Sequence, residues 1–206
     1  MGTSLATPSV AVGALDRELI AQRIAAVMRH AQCGELPLFA WTLGLSHDEW
    51  LRMVRTLFPE LVSLTPPTSH EYAILRRGQP AAFKALVRLL LDGQALSPGT
   101  PRKRERVWLA HAIASASQGG QRLWQDLGLR RREDLGVLLA QHFPRLHERH
   151  ARQGHSVHWK KFLYTELALH LQQPGLQPQG NRMNVTPARA SERDRSRRWR
   201  QSVFWP

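Results

Sequence analysis

The chain has 206 residues, a formal net charge of +13 and a single cysteine, Cys33. That length fits one domain with tails, or at most two small ones, and a hydrophobic fraction of 42% with seven tryptophans argues against disorder throughout. One cysteine excludes an intrachain disulfide and any cysteine cluster holding zinc or an iron–sulfur centre, which fits a reducing cytosol.

Residues 1–13 show no periodicity and are expected to be disordered. They lack the basic start and apolar run of a signal peptide, and Ala6 stands where a myristoylation site wants Ser or Thr. No run approaches the length of a membrane span, so a cytoplasmic protein is expected. From Leu15 the pattern turns helical, with Leu15, Leu19, Ile20, Ile24, Val27 and Met28 at three- and four-residue steps and Gly34 as the stop. Leu36 to Leu43 reads as a short helix ended by Gly44. Ser46 and Glu49 match a capping box, opening a helix with a buried stripe of Trp50, Leu51, Val54, Leu57 and Phe58.

Thr68 and Glu71 form a second capping box before Tyr72, Ile74 and Leu75. Pro80 suits the first turn of the next helix, which buries Phe83, Leu86, Val87, Leu90 and Leu91. Gly93 to Pro101 reads as an exposed loop. The basic run Arg102–Arg106 opens a helix whose inner face is Trp108, Leu109, Ala112, Ile113 and Ala116, and Gly119-Gly120 breaks it. Leu123 to Leu129 reads as a helical turn stopped by Gly128, followed by a helix over Leu135, Val137, Leu138, Leu139 and His142. From His147 to His158 the composition predicts loop, and Trp159, Phe162, Leu163, Leu167 and Leu171 then mark a last helix. Residues 173–206 carry an Arg-rich tail expected to be disordered. The whole is an all-α chain: residues 14–172 as one helical domain between a disordered N-terminus and a basic tail.

Motifs for common chemistry are missing. There is no Gly-rich phosphate loop, no Gly-x-Ser-x-Gly elbow and no His-Glu-x-x-His pair, so no catalytic residue is assigned and no enzyme is expected. Five histidines, His142, His147, His150, His155 and His158, crowd one stretch. Imidazole binds transition metals well, yet scattered surface histidines are the commoner outcome. Cys33 reads as an isolated thiol, since one thiol does not chelate by itself. The net charge and the tail arginines, with Trp199 and Trp205, permit a nucleic-acid or acidic-protein partner. Basic residues occur along most of the chain, which favours the plainer reading of a solvated basic surface.

The stretch 107–171 is more specific. Trp108-Leu109-Ala110, Leu123-Trp124-Gln125-Asp126-Leu127-Gly128-Leu129, His142-Phe143-Pro144 and Trp159-Lys160-Lys161-Phe162-Leu163-Tyr164 occur in an order and spacing that resembles the NifQ family of nitrogen-fixation proteins. Leu43-Gly44-Leu45, Phe58-Pro59 and Leu89-Leu90-Leu91-Asp92 agree more loosely. The resemblance implies a helical cytosolic protein that handles molybdenum for the iron–molybdenum cofactor, with nitrogenase cofactor-assembly proteins as partners. It also implies an iron–sulfur-associated molybdenum centre on a C-terminal Cys-x4-Cys-x2-Cys-x5-Cys cluster.

This chain departs there. Ser117 and Ala168 stand where the family usually has cysteines, Arg122 replaces a familiar histidine, and Val203 takes a cysteine's place near the end. No family ligand is carried over, and the metal- and cofactor-binding residues stay unassigned. The tail is either that of a divergent paralogue or a frame-shifted reading of a once normal end. Lys160 and Lys161 are the first residues to test for holding an oxyanion, against the plainer reading of two solvated charges. The competing function is a basic helical module for nucleic acid or an acidic protein.

Overall fold

The computed structural model describes residues 8–61, 66–94, 104–154 and 157–171, with side chains from residue 14 onward. The expected Arg-rich tail and most of the expected loop at 93–101 lie outside these residues. Among the described residues the chain is all-α, with no strand.

Helix α1 spans Pro8–Gln32, so it starts well before Leu15 and takes in part of the segment expected to be disordered. Ile20, Ile24, Val27 and Met28 are buried as their spacing requires, whereas Leu15 is 67% exposed. The segment after it forms a 3-10 turn, Leu38–Thr42, rather than an α-helix. Helix α2 (His47–Leu57) is capped by Ser46, which accepts from the Glu49 amide at 3.3 Å. The reciprocal half of that box is absent. Glu49 instead takes the Trp108 indole N–H at 2.9 Å and pairs with Arg52 at 2.6 Å. A fully buried indole needs an acceptor, and that demand outweighs a cap. The buried stripe of α2 runs through Trp50, Met53 and Leu57, leaving Leu51 and Val54 half-buried.

Helix α3 (Ser69–Leu75) has the full capping box between Thr68 and Glu71. Helix α4 (Phe83–Asp92) starts after Pro80, which lies in the preceding turn with its carbonyl accepting from the Phe83 amide at 3.0 Å. Helix α5 (Arg104–Ala116) is the axis of the molecule. From Trp108 to Ala116 every residue but His111 is buried. Its alanines let neighbours approach on several sides, and α1, α4 and α6 all pack on it.

Helix α6 (Leu123–Asp126) is one turn long and ends in a Schellman motif: the Leu129 amide donates to Trp124 O at 2.9 Å and the Gly128 amide to Gln125 O at 2.7 Å. Gly128 sits at φ +63°, and a Cβ there would lie 2.6 Å from the Ala26 methyl. The motif thus closes directly on α1, and Arg23 Nη1 donates to the Gly128 carbonyl at 2.6 Å. Helix α7 (Arg132–His142) buries Leu135, Leu138, Leu139 and His142; Val137 falls between them on the outer face and is 67% exposed.

The stretch expected as loop after His147 is largely helix α8, Pro144–Arg152. Pro144 occupies its first turn, where the missing N–H costs nothing. Only Leu146 and His150 of α8 are buried, so its inner face carries too few apolar residues to show as a period. Helix α9 (Trp159–His170) buries Trp159, Phe162, Leu163, Tyr164 and Leu167, as expected, and packs on α4.

Candidate functional site

The most distinctive stretches of the sequence meet at one buried contact. Asp126, the last residue of α6, is fully inaccessible to solvent. Lys160, in the first turn of α9, reaches it: Nζ lies 2.6 Å from Asp126 Oδ2 and donates to Gly119 O at 2.7 Å. The lysine side chain is 12% exposed. Lys160 is therefore neither a solvated charge nor a free anion ligand, and both earlier expectations for it fail. Its paraffin stem and ammonium are spent joining α9 to α6 and to the end of α5.

That junction is tightly built. A Cβ at Gly119 would fall 2.6 Å from Asp126 Oδ2 and 2.5 Å from Leu36 Cδ2, so only glycine lets the carboxylate in. One turn further along α9, the Tyr164 hydroxyl accepts from Gln118 Nε2 at 2.6 Å. Burial pushes the Asp126 carboxyl above its ordinary range, and the Lys160 hydrogen bond and charge oppose that. Burial likewise lowers the Lys160 ammonium, against the pull of Asp126. In both partners desolvation outweighs attraction, so the pair fixes geometry more than it adds stability. Asp126 Oδ1 has no hydrogen-bond partner among the described residues.

The histidines divide by environment. His150 is buried flat against Trp159, with centroids 3.7 Å apart and planes 13° from parallel, and its Nε2 is 2.9 Å from Val157 O. His147, one turn earlier on α8, faces the same indole at 6.1 Å. His142 is fully buried with Nε2 3.3 Å from Asp16 Oδ1; burial lowers its pKa, partly offset by Asp16, and Arg106 adds to the lowering. His158 is exposed, and Arg122 Nη1 lies within 2.7 Å of both its ring nitrogens. His155 lies outside the described residues. A cleft of about 340 Å³ opens between α7 and the α8–α9 junction, lined by Arg132, Glu133, Gly136, His147, His150 and Trp159.

The comparisons with known proteins bear on this arrangement. The NifQ family model matches residues 19–173, which takes in every element from α1 to α9 that forms the core. The chain belongs to the NifQ family. It is 38% identical to Protein NifQ of Azotobacter vinelandii over 133 residues, covering 61% of this chain and 64% of that protein. It is 32% identical to a NifQ homolog of Sinorhizobium fredii (strain NBRC 101917 / NGR234) over 126 residues, 60% of this chain and 49% of that one. With Protein NifQ of Klebsiella pneumoniae it shares 42% identity over 61 residues, 30% and 35% of the two chains. The matched segments span less than two thirds of the length of these relatives. No solved structure matches the chain.

Both NifQ words that carry the most sequence information, Trp124–Leu129 and Trp159–Tyr164, thus owe part of their composition to one ion pair. Trp124 and Trp159 belong to the same core. The thiolate question has a plain structural answer in this NifQ chain. Ser117 is buried and its hydroxyl donates to Ile113 O at 2.8 Å, Ala168 is half-buried, and Cys33 is exposed. Among the described residues no group of three or more His, Cys, Asp or Glu side chains is placed to hold a metal ion. These residues do not fit a thiolate-bound molybdenum–iron–sulfur centre.

Sequence reasoning missed Asp126 as the partner of Lys160 and Glu49 as the partner of Trp108. The residues stood inside recognisable words, yet nothing local marks a carboxylate as buried. It also missed the contact of Arg122 with His158, since these lie on separate elements.

Proposed function

We propose that this chain is an accessory of nitrogenase cofactor assembly in the cytoplasm, a binding protein and no enzyme, that takes part in molybdenum handling without a thiolate-held cluster. Its cargo is molybdenum in a form that needs no cysteine, and its partners are cofactor-assembly proteins that recognise the helical body. The supporting observation is the intact Asp126–Lys160 junction: the interior that joins the two most specific NifQ stretches is complete, while Ser117 and Ala168 carry no sulfur. A chain drifting without function would shed a buried ion pair early, because losing either partner strands the other.

The test is metal analysis of anaerobically purified full-length protein, beside a cysteine-bearing relative treated identically. Iron stays far below one per chain, while molybdenum is recovered with protein equilibrated in molybdate and the protein is retained on immobilised assembly partners. Stoichiometric iron with molybdenum would overturn the cluster-free reading. Steeply salt-sensitive DNA binding with no partner retention would instead support the basic-module alternative that the +13 charge keeps in view.

A further inference from the structure

The early part of α1 is held to the body by little apolar area. Among its described side chains ahead of Ile20, Ala14, Leu15, Arg17, Glu18 and Leu19 are exposed, and Asp16 turns inward, 17% exposed. Asp16 Oδ1 accepts from Gln141 Nε2 at 2.9 Å and lies 3.3 Å from His142 Nε2, so one carboxylate meets the last two residues of α7. At the rim Arg17 pairs with Glu105 of α5 at 3.5 Å. Beyond these contacts the helix enters the core at Ile20 and Ile24. A helix start fastened by polar contacts, with few buried apolar ones, opens more readily than the rest of the fold.

His142 is fully buried, and neither ring nitrogen makes a hydrogen bond among the described residues. Buried polar atoms are normally paired, so packing, with Phe143 at 6.4 Å, and the nearby carboxylate hold this ring in place. We infer that the Asp16–His142 contact is a proton-operated latch: the neutral imidazole keeps the start of α1 docked on α7, and uptake of one proton releases it. An imidazolium carries two N–H donors. Nε2–H can face Asp16, but Nδ1–H is then a buried donor of a charged ring with no acceptor. Two charged groups act on the ring: Asp16 from α1 favours the proton, and Arg106 from α5 opposes it. Burial, the largest influence, opposes it too. Lifting the start of α1 lets water reach the ring, so the released state takes the proton more readily than the docked one. Acid therefore releases the segment, and the latch is closed above about pH 6.5.

Hydrogen exchange on the full chain, read by mass spectrometry from about pH 8 down to about pH 5 and corrected for the intrinsic pH dependence of exchange, tests it. Protection over residues 16–23 falls by up to about tenfold per pH unit below about pH 6.5, as release coupled to one proton requires. Protection over residues 159–167 of α9, in the core, falls less steeply. His142→Gln removes the proton site and flattens the profile of residues 16–23, while Asp16→Ala lowers their protection at every pH. Arg17→Ala at the exposed rim lowers protection there and keeps the wild-type slope, which carries the test if His142→Gln does not fold. A flat wild-type profile at residues 16–23, an equal slope in α9, or an unchanged slope in folded His142→Gln would overturn the latch.

Discussion

Replacing Lys160 with methionine is the sharpest test of the junction between α6 and α9. Methionine keeps the stem's volume and removes the ammonium, which makes two hydrogen bonds, at 2.6 Å to Asp126 and 2.7 Å to Gly119 O. Asp126 would then be a fully buried carboxylate with neither oxygen satisfied, since Oδ1 already lacks a partner. Breaking one side of a buried pair costs about 3–5 kcal/mol, a large part of a domain's typical 5–15 kcal/mol (roughly) of stability. Urea unfolding followed by tryptophan fluorescence measures it, with the slope checked for two-state behaviour. The pH dependence supplies a second signature. With the lysine gone, the raised Asp126 pKa rises further, so the folded state binds the extra proton. The variant is then least impaired in acid and loses stability as pH rises through that folded pKa. The double variant Asp126→Leu with Lys160→Met, which leaves no stranded charge, recovers most of the loss. A single Lys160→Met cost under about 1 kcal/mol at pH 7, or a double variant no better than the single, would refute the reasoning.

Gly128→Ala forces a methyl into a left-handed position and against Ala26, and it lowers stability by about 2–4 kcal/mol in the same urea assay. Glu49→Ala leaves the buried Trp108 indole N–H without its acceptor and costs about 1–3 kcal/mol, whereas Asp48→Ala on the exposed side of α2 changes little. Burial lowers the pKa of His111, whose ring bonds Leu43 O at 2.9 Å, and of His142. The unfolded chain therefore binds these protons more readily than the folded one. Their contribution is complete above about pH 6.5 and is lost as pH falls below it. Thermal melts at pH 5 to 8 on the wild type and on His111→Gln measure this, and the variant shows a shallower decline on the acid side.

Much of the architecture is written locally. A helix announces itself by spacing and punctuation, and Ile20, Ile24 and Val27 in α1, or Trp159, Phe162, Leu163 and Leu167 in α9, are buried where their period puts them. The Thr68–Glu71 box and the stop at Gly128 work within a few residues and are equally legible. Helix α8 is the instructive exception. Its inner face is Leu146 and His150, and a histidine becomes a core residue only when an indole lies flat upon it. No period in a sequence of His, Arg and Glu announces that.

The sequence by itself settles that this is a helical chain with one cysteine, and so that no thiolate cluster is built from its own residues. Helix formation is governed by neighbours three and four residues apart, and sulfur content is a matter of composition. Tertiary packing decides the rest: that Lys160 is consumed by Asp126, that Glu49 leaves its cap for Trp108, and that Arg122 meets His158. Burial and long-range polar pairing depend on which helices meet, because a charge gains or loses its value only once water has been removed from around it.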